Sequence, residues 1–374
     1  MATDADTHAD VTARRCLAAA RSVVTASAPG RICLAGESLD WMVGGSSIVA
    51  AIPSRTRVTA WRAAGSAALA FSSGAPLGRT RLVPAAELGA YLGDPLEYLQ
   101  AATRVAVAHP DELAGLVLTA STDLPVGAGM SSSAALTLAA VAALLALTRG
   151  AEPDLATVCA LARQAEVGEL RTGAGWMDFL ACGYGGVNRV LAAATPQVRP
   201  IAASLGVPVV LVDTLARRTT RAVLASKRER FRAGEPGMLA YVDATERIVE
   251  ELAAVLGAPA VDYAQVGRLL TQAHVQLRDR VRCSTELIDA CIDKILRAGG
   301  YGAKLSGSGH GGCLFALVPD GAVDAVLAAL ATLPVYAVAL PATEPSGVTY
   351  SWAVRRDDAA LRQPSAPRPA PARA

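Results

Sequence analysis

What this chain of 374 residues lacks narrows its chemistry first. Its charges nearly cancel, with 35 Lys and Arg against 33 Asp and Glu and a net charge of +2, so no surplus of either sign points to nucleic acid or a membrane surface. Residues 1–26 mix Ala, Arg and Asp without the unbroken apolar stretch of a secretory signal. No run reaches the length of a membrane span, the apolar stretch 141–147 being far too short. A cytoplasmic protein with neither nucleic-acid nor membrane partners is expected. Cysteines are few and odd in number: Cys16, Cys33, Cys159, Cys182, Cys283, Cys291 and Cys313 show no C-x-x-C spacing. That argues against a disulfide framework or a zinc site and predicts small buried hydrophobes.

Two common phosphate loops are missing as well. Residues 123–136 read D-L-P-V-G-A-G-M-S-S-S-A-A-L, after a strand-like apolar run at 116–120 and before a helix-like run at 137–147. The glycines and serines therefore sit at a helix N-terminus, where free N–H groups and the helix dipole favour an anion. Gly127 and Gly129 allow close approach of the backbone, and Ser131, Ser132 and Ser133 add hydroxyls. A Walker A loop would need a lysine, and none is present in the stretch. A dinucleotide fingerprint would need glycine where Ser132 stands and an acid further on, yet 136–150 is helical in pattern and has none. Taken alone, the stretch is either a polyphosphate loop or a turn capping a buried helix.

Two other blocks bear on that choice: A-P-G-R-I-C-L-A-G-E-S-L-D at 28–40 and G-A-K-L-S-G-S-G-H-G-G-C at 302–313. In this order the three blocks resemble the motifs of the GHMP small-molecule kinases, the superfamily of galactokinase, homoserine kinase, mevalonate kinase and phosphomevalonate kinase. The resemblance implies ATP as phosphoryl donor. It would be held by Pro125, Gly127, Ala128, Gly129, Met130, Ser131, Ser132 and Ser133, with Ser306, Gly307, Ser308 and Gly309 leaning on the nucleotide side.

In the first block, Arg31, Glu37 and Asp40 are charges among apolar neighbours and need either partners or a purpose. A structural salt-bridge cluster is one answer. The block resembles the galactokinase-like G-E-H-T-D ending, which implies that Glu37 and Asp40 accept hydrogen bonds from a polyol and that Arg31 stabilises the transferring phosphoryl group. Ser38, also at the substrate, replaces the family histidine. Further on, 155–170 has an amphipathic helical pattern with Glu166 and Glu169, followed by G-A-G-W-M-D-F-L-A-C-G-Y-G-G-V. This places Asp178 between glycine-rich flanks among Trp176, Met177, Phe179 and Leu180.

Phosphoryl transfer needs a metal to shield phosphate oxygens and a group to orient the hydroxyl. Ala165-Glu166 and Gly175-Trp176-Met177-Asp178 resemble the A-E and G-x-M-D-Q elements of the galactokinase branch, with Phe179 in place of glutamine. By that resemblance Ser133 and Glu166 hold Mg²⁺, a hard cation suited to a thin protein shell. Asp178 meets the acceptor hydroxyl as base or orienting group, and Gly175 lies beside the substrate. The stretch 273–289 also resembles the sugar-kinase side of the superfamily. His274 within it is expected to be structural, His109 to be on the surface, and His310 to bind no metal.

The remaining pattern predicts strands at 22–31, 48–52, 57–61, 67–71 and 79–83, and a helix at 95–107 without an assignable role. A second half begins with the apolar run 209–212. Residues 213–232 carry Arg217, Arg218, Arg221, Lys227, Arg228, Arg230 and Arg232, usually a solvated face. In the functional alternative Arg217 or Arg218 faces the cleft and the acceptor bears a phosphate. Helices at 239–256, 261–277, 285–298 and 322–330 and strands at 313–318 and 348–354 complete this half.

The expected organisation is a flexible segment 1–21, an N-terminal domain 22–204, a C-terminal domain 205–355 and a disordered tail 356–374. The fold class is α+β. Resemblance supplies its detail: a first domain like the second domain of ribosomal protein S5, and a ferredoxin-like second domain. The expected activity is ATP-dependent phosphorylation of a sugar hydroxyl in carbohydrate metabolism, the anomeric one among the candidates, by a monomer or homodimer. Ser38 and Phe179 motivate the alternative of a cyclitol, phosphorylated cyclitol or modified sugar of secondary metabolism as acceptor. A sugar-sensing regulator without turnover is a third reading, against which the joint presence of Arg31, Glu166 and Asp178 speaks.

Overall fold

Strand β1 (Ser22–Ala35) pairs antiparallel with β2 (Ser46–Arg62), and the two form the spine of an eight-stranded sheet. This computed structural model describes residues 22–63, 65–74, 78–216, 220–342 and 345–354. The expectations for 1–21 and 356–374 lie outside those residues. On the far side of β2 come β5 (Leu116–Thr122), β3 (Leu69–Ser73) and β4 (Thr80–Val83), with β3 parallel to β5. The first half of β2 instead pairs with β6 (Val187–Leu191), which leads to β7 (Gln197–Ala202).

The sequence pattern predicts two short strands where β2 is one. Pro53 stands between the half that pairs with β6 and the half that pairs with β5, opposite a register shift at Gly30 in β1. At such a gap the missing N–H of proline breaks no ladder.

Helix α1 (Leu39–Met42) is a single turn. On the sheet lie α2 (Glu97–Ala106), α3 (Ser132–Arg149), α4 (Leu155–Arg163) and α5 (Met177–Tyr184), with α3 and α5 packed directly against β1 and β2. The expectation that no segment matches a membrane span needs correction. α3 has 18 residues and a mean hydropathy of 1.6, enough by length and composition, but 67% of it is buried inside the protein. Counting only the aliphatic run overlooked Thr137 and Thr148, whose hydroxyls bond back to the helix carbonyls of Ser133 (3.1 Å) and Leu145 (3.1 Å). An apolar helix with no polar face belongs in a core. Gly150, left-handed at φ 69°, ends it with an N–H to the Ala146 carbonyl.

The helix expected over 155–170 also divides. Beyond α4 it widens into a π-turn, Gln164–Glu169, that sets Glu166 on the inner side. The stretch after it, to which the sequence pattern assigned no element, contains α5, with Asp178 in its first turn.

The chain crosses to a second sheet between Ala202 and Val209. There β8 (Val209–Asp213), β9 (Gly302–Leu305), β10 (Cys313–Leu317) and β11 (Tyr336–Leu340) run antiparallel in the order β11-β8-β10-β9. The helices of this half are α6 (Thr220–Arg232), α7 (Pro236–Leu256), α8 (Tyr263–Gln276), α9 (Glu286–Arg297) and α10 (Val323–Leu330). α8 and α9 cover β9, and α10 packs on β11. One apolar core, from Ala26 to Leu330, runs through both halves. The architecture is the expected two-part α+β fold.

β12 (Thr349–Val354) returns to pair antiparallel with β1. Six cysteines among the described residues are free and buried. His274, 2% exposed, is bonded through Nε2 to Asp289 at 3.0 Å and is structural.

Candidate active site

The turn from β5 into α3 is braced from behind. The Arg31 N–H donates to the Met130 carbonyl (3.3 Å) and the Cys313 N–H to the Ala128 carbonyl (2.6 Å). Gly312, at φ 79°, admits this contact because a Cβ there would stand 2.7 Å from the Ala128 oxygen. Gly127, Gly129, Ser131, Ser132 and Ser133 thus face a cleft, with Gly307 and Ser308 beside them. The other residues expected at ATP are not among the lining residues. Ala128 and Met130 turn buried side chains into the core, Pro125, Ser306 and Gly309 are outside the cleft lining, and a side chain on Gly309 would collide with Cys283. Ser131 Oγ and Ser308 Oγ are buried without a hydrogen-bond partner, the condition a bound phosphate would relieve.

The cleft encloses about 540 Å³, room for a nucleotide and a small acceptor. Its far wall comes from the region to which the sequence assigned no role: Ser73, Gly74, Pro95, Leu96, Tyr98 and Leu99 all line it.

At the opposite end Arg31, 3% exposed, directs Nε and a terminal nitrogen to the same oxygen of Asp178, Oδ1, at 2.8 and 2.6 Å. Its other terminal nitrogen donates to the Gly129 carbonyl at 2.7 Å. Burial opposes the guanidinium charge, yet the adjacent Asp178 carboxylate raises the Arg31 pKa above its ordinary value. Asp178 lies in the first turn of α5, whose dipole favours an anion. Both residues line the cleft.

Asp40, beside them, accepts the N–H of Trp41 (2.9 Å) and of Met177 (3.3 Å). Burial pushes its pKa up, the Met177 N–H counters this, and Asp178 adds to the rise. Gly175 is the complement of that carboxylate, because a Cβ there would overlap the Asp40 oxygens. Glu37 and Ser38 line the cleft too, Ser38 in the left-handed region at φ 70°. Glu37 is not free for a ligand as a whole: its Oε1 accepts from the buried Lys304 ammonium. Arg217 lies outside the described residues. Trp41 and Leu224, which the sequence reading missed, line the cleft as well. Arg228 lies 4.8 Å from the Trp41 ring and donates to the Gly173 carbonyl at 2.6 Å.

Glu166 faces Ser133 across the cleft floor. It is 2% exposed, accepts from Thr137 Oγ1 at 3.0 Å, and burial pushes its pKa up to about 8, a rise that the Thr137 and Ser133 hydroxyls oppose. No group of three His, Cys, Asp or Glu capable of holding a metal occurs among the described residues. Two hard oxygens suffice for a cation that keeps waters or phosphate oxygens as its other ligands. A buried carboxylate raised by desolvation is what such a cation would neutralise. The donor set fits Mg²⁺.

Comparison with known proteins identifies the family. The description GHMP kinases N terminal domain matches residues 96–186, and GHMP kinases C terminal matches 249–334. A galactokinase of Mycobacterium bovis is 30% identical over 336 residues, covering 79% of this chain and 89% of its own length. The chain belongs to the GHMP kinase superfamily. It falls on the galactokinase-like side of that superfamily. A mevalonate kinase of Thermococcus sibiricus is 26% identical over 314 residues, covering 79% of this chain and 90% of its own. The crystal structure of Lactococcus lactis galactokinase complexed with galactose superposes with a TM-score of 0.73 at 19% identity, covering 92% of this chain and 99% of that one. This GHMP kinase is a phosphotransferase acting on a hydroxyl, and kinases of the family take their phosphoryl group from ATP.

Gly175→Ala tests the acceptor end of this kinase. The added methyl must displace the Asp40 carboxylate, so the acceptor KM is expected to rise at least about tenfold, equivalent to about 1.4 kcal/mol, with the ATP KM unchanged. Steady-state kinetics in each substrate checks it, and an unaltered acceptor KM would take Asp40 out of acceptor binding.

Proposed function

We propose that this GHMP kinase transfers the γ-phosphoryl group of ATP to a hydroxyl of a neutral sugar, with Mg²⁺ held by Ser133 and Glu166. The observation that carries the reading is the Arg31–Asp178 pair. Arg31 occupies only Oδ1 of Asp178, which leaves the second oxygen to an acceptor hydroxyl, and the same guanidinium touches the loop that would hold the triphosphate.

In the reaction the acceptor oxygen forms its bond to the γ-phosphorus while the bond from that phosphorus to the β–γ bridging oxygen breaks. The hydroxyl proton passes to Asp178, and ADP leaves. Arg31 anchors Asp178 and offers positive charge where the transferring group crosses. Ser133 and Glu166 would hold a Mg²⁺ ion, which would supply positive charge to shield the phosphate oxygens. Asp40, Ser38 and Glu37 accept hydrogen bonds from the other acceptor hydroxyls.

Charge pairing supports a neutral acceptor. Asp178 has Arg31, Glu37 has Lys304, and Asp40 has the nearby Arg228. A second reading, a modified sugar with fewer free hydroxyls, is favoured by the apolar surfaces of Trp41 and Leu224 on the cleft wall, which suit a ring face with few hydroxyls.

A coupled ADP-release assay over aldoses, amino sugars, uronic acids and cyclitols, each with and without phosphate, tests both readings. Turnover is expected with an unphosphorylated polyol. Release with phosphorylated acceptors alone would refute the neutral site, and ligand binding without ADP release from any acceptor would indicate a sensor.

A further inference from the structure

The partner that fixes Glu37 comes from the other half of the molecule. Lys304 lies on β9, fully buried at 0% exposure. Its ammonium donates to three acceptors: the Cys33 carbonyl at 2.9 Å, the Leu305 carbonyl at 2.8 Å, and Glu37 Oε1. Two of the three belong to the first motif and its strand. Glu37, 2% exposed, is held again through its own carbonyl, which accepts from the Tyr241 hydroxyl of α7 at 2.7 Å.

A lysine ammonium has three donors and no acceptor capacity, so all of its valence is engaged here. A carboxylate has room for about four hydrogen bonds. Lys304 claims one of the two oxygens, and Glu37 is nevertheless among the residues that line the cleft. Removing a buried countercharge is costly, because the remaining charge must be neutralised or must move towards water.

We propose that Lys304 is a positioning residue for acceptor recognition: by holding one oxygen of Glu37 it supplies the countercharge and aims the remaining capacity of the carboxylate into the cleft. Acceptor recognition by the first motif then depends on docking of the second sheet against the first. The proposal rests on the reading that Glu37 meets the acceptor.

A double-mutant cycle separates this role from that of a structural staple. Lys304→Met is expected to raise the acceptor KM at least about tenfold and to leave the ATP KM within about twofold. Glu37→Gln should give a similar rise, and the double variant should be no worse than the larger single one. A Lys304→Met protein with lowered melting temperature but unchanged acceptor KM overturns the proposal, as does a double variant whose losses multiply.

Should Lys304→Met fail to fold, the unaltered protein decides. Its crystal structure with a non-hydrolysable ATP analogue and the best acceptor must show an acceptor hydroxyl on the Glu37 carboxylate while Oε1 stays on Lys304. A carboxylate swung away from Lys304, or one without a hydroxyl, overturns the idea. If the unaltered protein releases no ADP with any acceptor, the kinase reading fails first and this proposal with it.

Discussion

Asp178→Asn is expected to lower kcat about 10³-fold, within the range ascribed to general bases, while ATP affinity stays within about twofold. The amide keeps the size of the carboxylate and can still accept from Arg31 through its oxygen. It cannot take a proton, and its nitrogen turns a donor towards the place where the acceptor hydroxyl must donate. The loop at the start of α3 is braced by backbone hydrogen bonds to the Met130 and Ala128 carbonyls, which the substitution leaves in place, so nucleotide binding should survive. Single-turnover kinetics together with calorimetric titration of ATP makes the measurement. Turnover close to that of the unaltered protein would remove Asp178 from the reaction, and a parallel loss of ATP affinity would assign it to the nucleotide.

That pairing shows how far the sequence carries. Arg31 and Asp178 are 147 positions apart, yet each stands in a short block that resembles a motif of the superfamily, and that resemblance, not local pattern, singled them out before the structure brought them together. Lys304 was hidden in plain view: it is inside the third block, but nothing local tells that its ammonium reaches Cys33 and Glu37. Trp41 and Leu224 look like ordinary apolar positions, and only the approach of α6 to α1 turns them into a wall. The cleft wall from Ser73 to Leu99 has no residue type that announces phosphate or base.

Missed strands follow the same logic. β7 contains Pro200 and is partly exposed, which an edge strand tolerates but a pattern search rejects. β9 interrupts its apolar run with Lys304, a charge buried only because its partners lie elsewhere in the chain. α5 begins just after Gly173 and Gly175, poor helix formers that hide its start from a pattern search. Local patterns report local preferences, and these elements owe their place to tertiary partners.

Arg31→Met is the companion test, with an expected fall in kcat of about 10²- to 10³-fold, comparable with removing a preorganised donor from a developing charge. The methionine fills the space but leaves Asp178 without its cation and the Gly129 carbonyl without its donor. Stability should drop by about 2 kcal/mol, less than the 3–5 kcal/mol typical of a fully buried pair, because Asp178 is 26% exposed and water can reach it. Combining Arg31→Met with Asp178→Asn distinguishes cooperation from coincidence. If the guanidinium works by anchoring and charging the carboxylate, the double variant loses little beyond the larger single loss, since residues acting as a unit are not additive. Losses that multiply would mean that Arg31 acts on the transferring phosphoryl group independently of Asp178, and the anchoring role given to it here would have to be abandoned.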